Sequence, residues 1–230
     1  MPDASGKPGR DCALCPRLKG FRDEWRSREP GWFNAPVPSF GPLSARLLIV
    51  GLAPGLRGAN RTGRPFTGDY AGDLLYDTLK MFGFASGSYA AQPDDGLILT
   101  DARITNAVRC VPPENKPTSN EVRTCRTFLG ATIAEMTELR AILTLGRISH
   151  ESTVAALNHR RSAAPFGHGT AHDIGRLRVF VSYHCSRYNT STGVLSTPMF
   201  RAVFAAIRNY LDAASQSITS SALLSGGKTG

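Results

Sequence analysis

Lysine is scarce in this chain, acidic residues are outnumbered, and long apolar runs are missing. Five lysines stand beside twenty-two arginines, and twenty-seven basic residues face eighteen acidic ones, a formal charge of +9. That shortage of negative charge makes a polyanion the first partner to consider. The plainer alternative, arginine written wherever a solvated cation would do, is equally open on charge alone. No run of eighteen apolar residues exists and Met1 to Arg10 is polar with Gly and Pro, which excludes a membrane span and a signal peptide. The expectation is a soluble cytoplasmic protein with no membrane partner. Cysteines are few and odd in number, five in all, so a disulfide framework is excluded for a chain in a reducing compartment. Ligation of a metal or cluster becomes the question. At 41% hydrophobic over 230 residues there is enough apolar material for one good core, well outside the disordered class.

Residues 1–44 carry Cys12, Cys15, Trp25 and Trp32 with several Gly and Pro and one short helical candidate, Leu18 to Ser27, and read as an arm packed on a core. Ala45 to Gly51 is a compact apolar run closed by Gly, a buried strand, and similar runs are Leu97–Thr100, Ile104–Val108, Ala141–Leu145 and Val179–Tyr183. Between them lie amphipathic stretches at Gly72–Phe82, Ser119–Arg140, Ser149–Asn158 and Thr197–Leu211, the second opening with the capping-box pattern Thr118-Ser-Asn-Glu121. Alternating strands and helices predict an α/β fold in one domain, a mainly parallel sheet with helices on both faces. The core is expected over 45–212. The Ser-, Ala- and Gly-rich tail, 213–230, is expected to be frayed or disordered.

Ligands of open α/β sheets sit beyond the carboxyl ends of the strands, and three loops there are chemically loaded. Gly51 to Gly72 holds six glycines, which let backbone approach a ligand closely, but its spacing fits neither nucleotide-phosphate motif. Arg57, Arg61 and Arg64 in that loop are candidates for backbone phosphates, Phe66 offers a flat apolar face, and Asp69 is a lone carboxylate. His184 ends the last strand, and a parallel sheet places it on the same edge as Asp69, a credible pair for acid/base work. Cys185 beside it points to the opposite face of the strand, which argues against a Cys/His nucleophile. Cys12-x2-Cys15 and Cys110-x14-Cys125 supply four thiolates, and their spacing does not choose between zinc and a [4Fe–4S] cluster. The loop Asn158 to Gly169 is basic enough for phosphate contact or for plain solvation.

Gly51-Leu-Ala-Pro-Gly55, the run Gly58 to Asp69, Thr105-Asn-Ala-Val-Arg-Cys110 and His184-Cys-Ser-Arg-Tyr-Asn189 together resemble the family 5 uracil-DNA glycosylases, over residues 12 to about 211. The resemblance implies the α/β fold of that superfamily, uracil-containing DNA of the nucleoid as partner, hydrolysis of an N-glycosidic bond by a monomer, and a [4Fe–4S] cluster on Cys12, Cys15, Cys110 and Cys125. Leu52 and Ala53 stand where other branches carry a polar residue to position water, and His-Cys-Ser replaces the usual His-Pro-Ser of the last motif. By the resemblance Asp69 handles the water and His184 stabilises charge on the departing base. Gly51, Ala53 and Asn189 fall among its substrate-binding positions. A flipped base needs an aromatic to stack on and a polar group to read its edge, roles that suit Phe66 and Asn106. Arg61, Arg64 and Arg187 would meet DNA, with Arg187 or Tyr188 as a wedge filling the gap. No lysine falls in these motifs, so a Schiff-base lyase has no obvious nucleophile. The competing reading is an iron–sulfur module that binds damaged bases without turnover.

Overall fold

A computed structural model describes the backbone of residues 6–225 and side chains over 6–214. The arm carries one helix, α1 (Pro16–Arg28), before the first strand, β1 (Leu47–Gly51). A single helical turn, α2 (Ala59–Thr62), and a longer helix, α3 (Tyr70–Met81), lead to two short strands, β2 (Ala85–Ser86) and β3 (Ile98–Leu99). The chain then runs through β4 (Ala102–Asn106), α4 (Ser119–Glu135), β5 (Ala141–Leu145), α5 (Arg147–Ala156), β6 (Ala171–Ile174), β7 (Leu177–Ser182), α6 (Arg187–Ser191) and α7 (Thr197–Ser225).

Five strands form the main sheet in the order β4-β1-β5-β7-β6. The first four run parallel and β6 pairs antiparallel with β7. Strand β1 is buried throughout, and its side chains divide by the strand period of two. Leu47 and Ile49 enter a core with Leu75 and Leu79 of α3 and Phe200, Phe204 and Ile207 of α7. Leu48 and Val50 enter a second core with Leu129 and Ile133 of α4 and Val154 of α5. Burial on both faces is why these strands read as continuous apolar runs in the sequence.

Several expectations shift. Leu97–Thr100 is not a strand of the main sheet; Ile98 and Leu99 pair antiparallel with β2 in a separate hairpin. Helix α4 ends at Glu135 rather than Arg140, because Met136 leaves helical geometry and turns into the core with Leu139. The tail expected to fray from Ala213 is helical in backbone as far as Ser225, while 226–230 lie outside the described residues. Within the arm, Phe40 and Ile104 exchange both backbone hydrogen bonds, 2.9 and 2.7 Å, along the outer side of β4. The chain leaves β1 for β4 on one side and later for β5 on the other, and this switch opens a crevice at the carboxyl end of β1.

Candidate active site

Strands β1 and β4 end in register at Gly51 and Asn106. A cleft of about 690 Å³ opens beyond them, and Ala53, Phe66, Asp69, Asn106, His184 and Arg187 all line it. Gly51, expected among the substrate-binding positions, does not itself line the cleft; its missing side chain makes room for two residues that do. A Cβ there would stand 2.6 Å from Phe66 Cζ and collide with Asn106 Oδ1.

Phe66 is held in the left-handed region, φ +53°, which a bulky residue adopts only when its surroundings impose it. The Tyr76 hydroxyl donates to the Pro65 carbonyl at 2.6 Å and Tyr89 donates to the Phe66 carbonyl at 3.2 Å. Gly72 leaves room for that same carbonyl, which any Cβ would strike. So fixed, the Phe66 ring stacks on His184 at 5.9 Å between centroids and 24° between planes, one flat wall of the cleft. Asn106 is buried, and its Oδ1 has no hydrogen-bond partner, an unspent acceptor at a strand end.

Asp69 caps α3, its Oδ1 accepting from the Gly72 amide at 3.1 Å. Its Oδ2 lies where Gly55 and Gly58 lack side chains; a Cβ on Gly58 would come within 2.6 Å of it. Burial raises the carboxyl above its ordinary range, and the Gly72 amide opposes part of that rise. His184 follows β7, its carbonyl held by Asn189 Nδ2 at 2.8 Å. Burial pushes its imidazole down to about 4, so the ring is neutral at pH 7. Cys185 lies beyond the end of β7, so strand alternation does not set its direction; it is buried, donates weakly to the Ala71 carbonyl and does not line the cleft.

The four other cysteines come together. Cys12, Cys15, Cys110 and Cys125 line one small cavity with Leu18, Val108 and Phe128, and none is in a disulfide. Burial raises the thiols of Cys110 and Cys125, to about 12 and about 11. Two buried arginines serve this cavity. Arg22 donates to Cys110 Sγ at 3.5 Å and to the Cys12 carbonyl at 2.9 Å, while the backbone amide of Arg109 donates to Cys125 Sγ at 3.3 Å. Neither guanidinium has a carboxylate within ion-pair distance among the described residues, and that of Arg109 donates to the Val37 carbonyl at 3.3 Å and the Thr132 hydroxyl at 2.9 Å. Ala53 packs against this cysteine cluster and also lines the cleft, so the two sites share a wall.

Other sites expected from sequence fall differently. Arg64 is not on a DNA face: it is buried, forks onto both Asp95 oxygens at 2.8 Å, and sits over Phe40, Tyr76 and Tyr89. Asn189 does not line the cleft; it holds the His184 backbone instead. Arg61 borders a neighbouring cleft. The stretch from Arg187 is a helical turn, α6, capped by Ser186, from which Tyr188 projects 73% exposed. In the basic loop Asn158 to Gly169, Arg161 is paired with Glu151 at 2.9 Å, and His150 and His172 approach the Ala164 and Pro165 carbonyls. No lysine lines the cleft.

A family model described as the uracil DNA glycosylase superfamily matches residues 38–208. The chain belongs to that superfamily. Within it, the chain is similar to a type-5 uracil-DNA glycosylase of Thermus thermophilus, 45% identical over 196 residues that cover 82% of this chain and 89% of that one. A type-5 uracil-DNA glycosylase of Pyrobaculum aerophilum is 38% identical over 190 residues, covering 81% and 83%. A type-4 uracil-DNA glycosylase of the same organism is 31% identical over 169 residues, covering 73% and 77%. The type-5 assignment agrees with Leu52 and Ala53 in the first motif.

Two cleft residues of this superfamily member escaped sequence reasoning. Tyr70 follows Asp69 and stands half-exposed at the cleft mouth. Asn115 enters from the Pro113–Asn115 turn at φ +57°. Its one sequence signal is the proline punctuation at Pro112, Pro113 and Pro117, which marks a turn but not its direction.

Proposed function

We propose that this protein extrudes uracil from DNA into the cleft and hydrolyses its N-glycosidic bond, leaving an abasic site. The observation that carries the reading is the convergence of Phe66, Asp69, Asn106 and His184, from separate stretches of chain, on one cleft. The extruded base stacks on the Phe66 ring and presents its Watson–Crick edge to the Asn106 amide, whose buried polar atom is otherwise unspent. As the C1′–N1 bond breaks, its electron pair goes to the base and positive charge develops on the sugar. Neutral His184 donates a hydrogen bond to the base oxygen that gains charge, and the Asp69 carboxylate stabilises the sugar cation. Water adds to C1′ and gives up its proton toward Asp69. With Ala53 where a polar residue would hold that water, Asp69 is the cleft's one carboxylate for the task. A module that only binds damaged bases has no use for a buried carboxylate facing an anionic backbone.

The four cysteines are proposed to hold a [4Fe–4S] cluster. Two features support the fit. The four thiols line one cavity, and the buried Arg22 guanidinium, which donates to Cys110 Sγ, has no carboxylate at ion-pair distance among the described residues. Held by Cys12 and Cys15 of the arm, Cys110 after β4 and Cys125 of α4, the cluster would tie the arm to the core, and no step of the hydrolysis needs it. The cleft is complete in one chain, which supports action as a monomer on nucleoid DNA. No helix among the described residues is long and apolar enough to cross a membrane.

Single-turnover assays on uracil-containing oligonucleotides test the reading. Release of free uracil with alkali-labile strands is expected; tight binding without release would overturn it.

A further inference from the structure

Beyond the base cleft, on the far side of α2, lies a second cleft of about 490 Å³ with Arg10, Trp32, Phe33, Arg61 and Gln92 on its walls. Its construction is deliberate. The Arg64–Asp95 pair is buried, and the Asp95 carboxylate also accepts the backbone amides of Ala90, Gln92 and Leu97, which pins the loop bearing Gln92. On the opposite wall, Trp32 is backed by Trp25, the rings stacked at 5.4 Å and 5°. The Phe33 ring rests on Gly63, where a Cβ would come within 2.7 Å, and the Arg10 guanidinium lies over it at 5.9 Å. Neither Arg10 nor Arg61 has a carboxylate at ion-pair distance among the described residues; Arg61 Nε donates only to the Arg57 carbonyl. Nearby arginines that serve structure, Arg26 and Arg64, are paired with acids. Two free guanidiniums over aromatic walls are the composition of a single-strand nucleic-acid groove, where cations take phosphates and rings take bases.

Position selects the occupant. Ala59 of α2 lines the base cleft and Arg61, two residues on, lines this one. Residues two apart face nearly opposite sides of a helix, so the two clefts stand about one helix width, roughly 10 Å, apart, which is about three nucleotides of a strand at roughly 3.4 Å each. We propose that this cleft binds the damaged strand itself, a phosphodiester on Arg10 and Arg61 and an unstacked base against Trp32, within a few nucleotides of the extruded uracil. The inference rests on the glycosylase reading and extends it: the enzyme grips a flanking nucleotide as well as the base it cuts.

Arg10→Ala and Trp32→Ala, with Trp32→Phe as the conservative variant, test it in equilibrium binding and single-turnover cleavage. The substrates carry uracil centrally or with either flank trimmed to one nucleotide. Trimming one of the two flanks is expected to weaken wild-type binding on the order of tenfold and to cost Trp32→Ala and Arg10→Ala little more. Trp32→Phe should restore most of the flank dependence, and Arg10→Ala should lower the salt slope by about one. Equal penalties for wild type and variants on both trimmed substrates would overturn the proposal. Absence of uracil release from every substrate would instead overturn the glycosylase reading.

Discussion

Asp69 and His184 share a cleft yet stand in opposite relations to protons. Burial holds the carboxyl above its ordinary range and the imidazole at about 4. Cleavage should therefore fall as pH drops through the raised Asp69 pKa, while His184 adds no titration of its own between pH 5 and 8. Pre-steady-state rates against pH check this, and Asp69→Asn should cut the rate and abolish the acid limb together. His184→Ala should slow single-turnover cleavage about 10²–10³-fold, the scale of one oxyanion-type donor. Since both groups serve one transition state, the double variant should lose less than the product of the two. Gly51→Ala should remove uracil cleavage while DNA affinity persists, because its methyl drives Phe66 and Asn106 out of place. Asp69, Phe66, Asn106 and His184 were legible because each sits in a motif or at a strand end. Arg64 misled because a cation in a glycine-rich loop looks solvated, and its partner Asp95 lies 31 positions away.

Among the elements, α4 shows local chemistry agreeing with tertiary need. The Thr118 hydroxyl accepts from the Glu121 amide at 3.3 Å, and Glu121 returns to the Thr118 amide at 2.7 Å, the capping box visible in the sequence. Sequence did not show that the same carboxylate also takes the Arg17 guanidinium at 2.7–2.8 Å and so ties α1 to α4. Glu121→Ala should lower stability by about 1–2 kcal/mol, the range of a lost cap, read as a shift in urea midpoint. A larger share of that loss should persist in Arg17→Ala if the tie to the arm outweighs the cap. Helix α3 gives a second case. Asn caps as well as Asp, so Asp69→Asn should keep its thermal stability while Asp69→Ala loses about 1 kcal/mol. Strand β6 escaped notice because only Ile174 of its four residues is buried, too short a pattern for period two.

For the whole molecule, three neutral imidazoles set the response to acid. Burial lowers His150, His168 and His184, and His168 Nδ1 accepts the Tyr183 amide at 3.2 Å, a bond that protonation removes. The unfolded chain takes up protons below about pH 6.5, whereas the fold resists them. Stability should then fall as pH drops from about 6.5 toward 4, with the raised Asp69 working in the opposite sense. Melting temperature measured across pH 7.5 to 5 should decline, and His150→Gln should start lower but decline less steeply. The sheet and its two packed faces were legible because burial on both sides writes itself into composition. Which loops approach one another across the crevice was not, since those contacts join residues far apart in sequence. The reciprocal bonds between Phe40 and Ile104 have a consequence for solution behaviour. They close what would otherwise be an open strand edge on β4, a ready template for pairing with another copy. Deleting residues 1–44 would therefore turn a dispersed protein into one prone to strand-on-strand aggregation, visible as concentration-dependent light scattering.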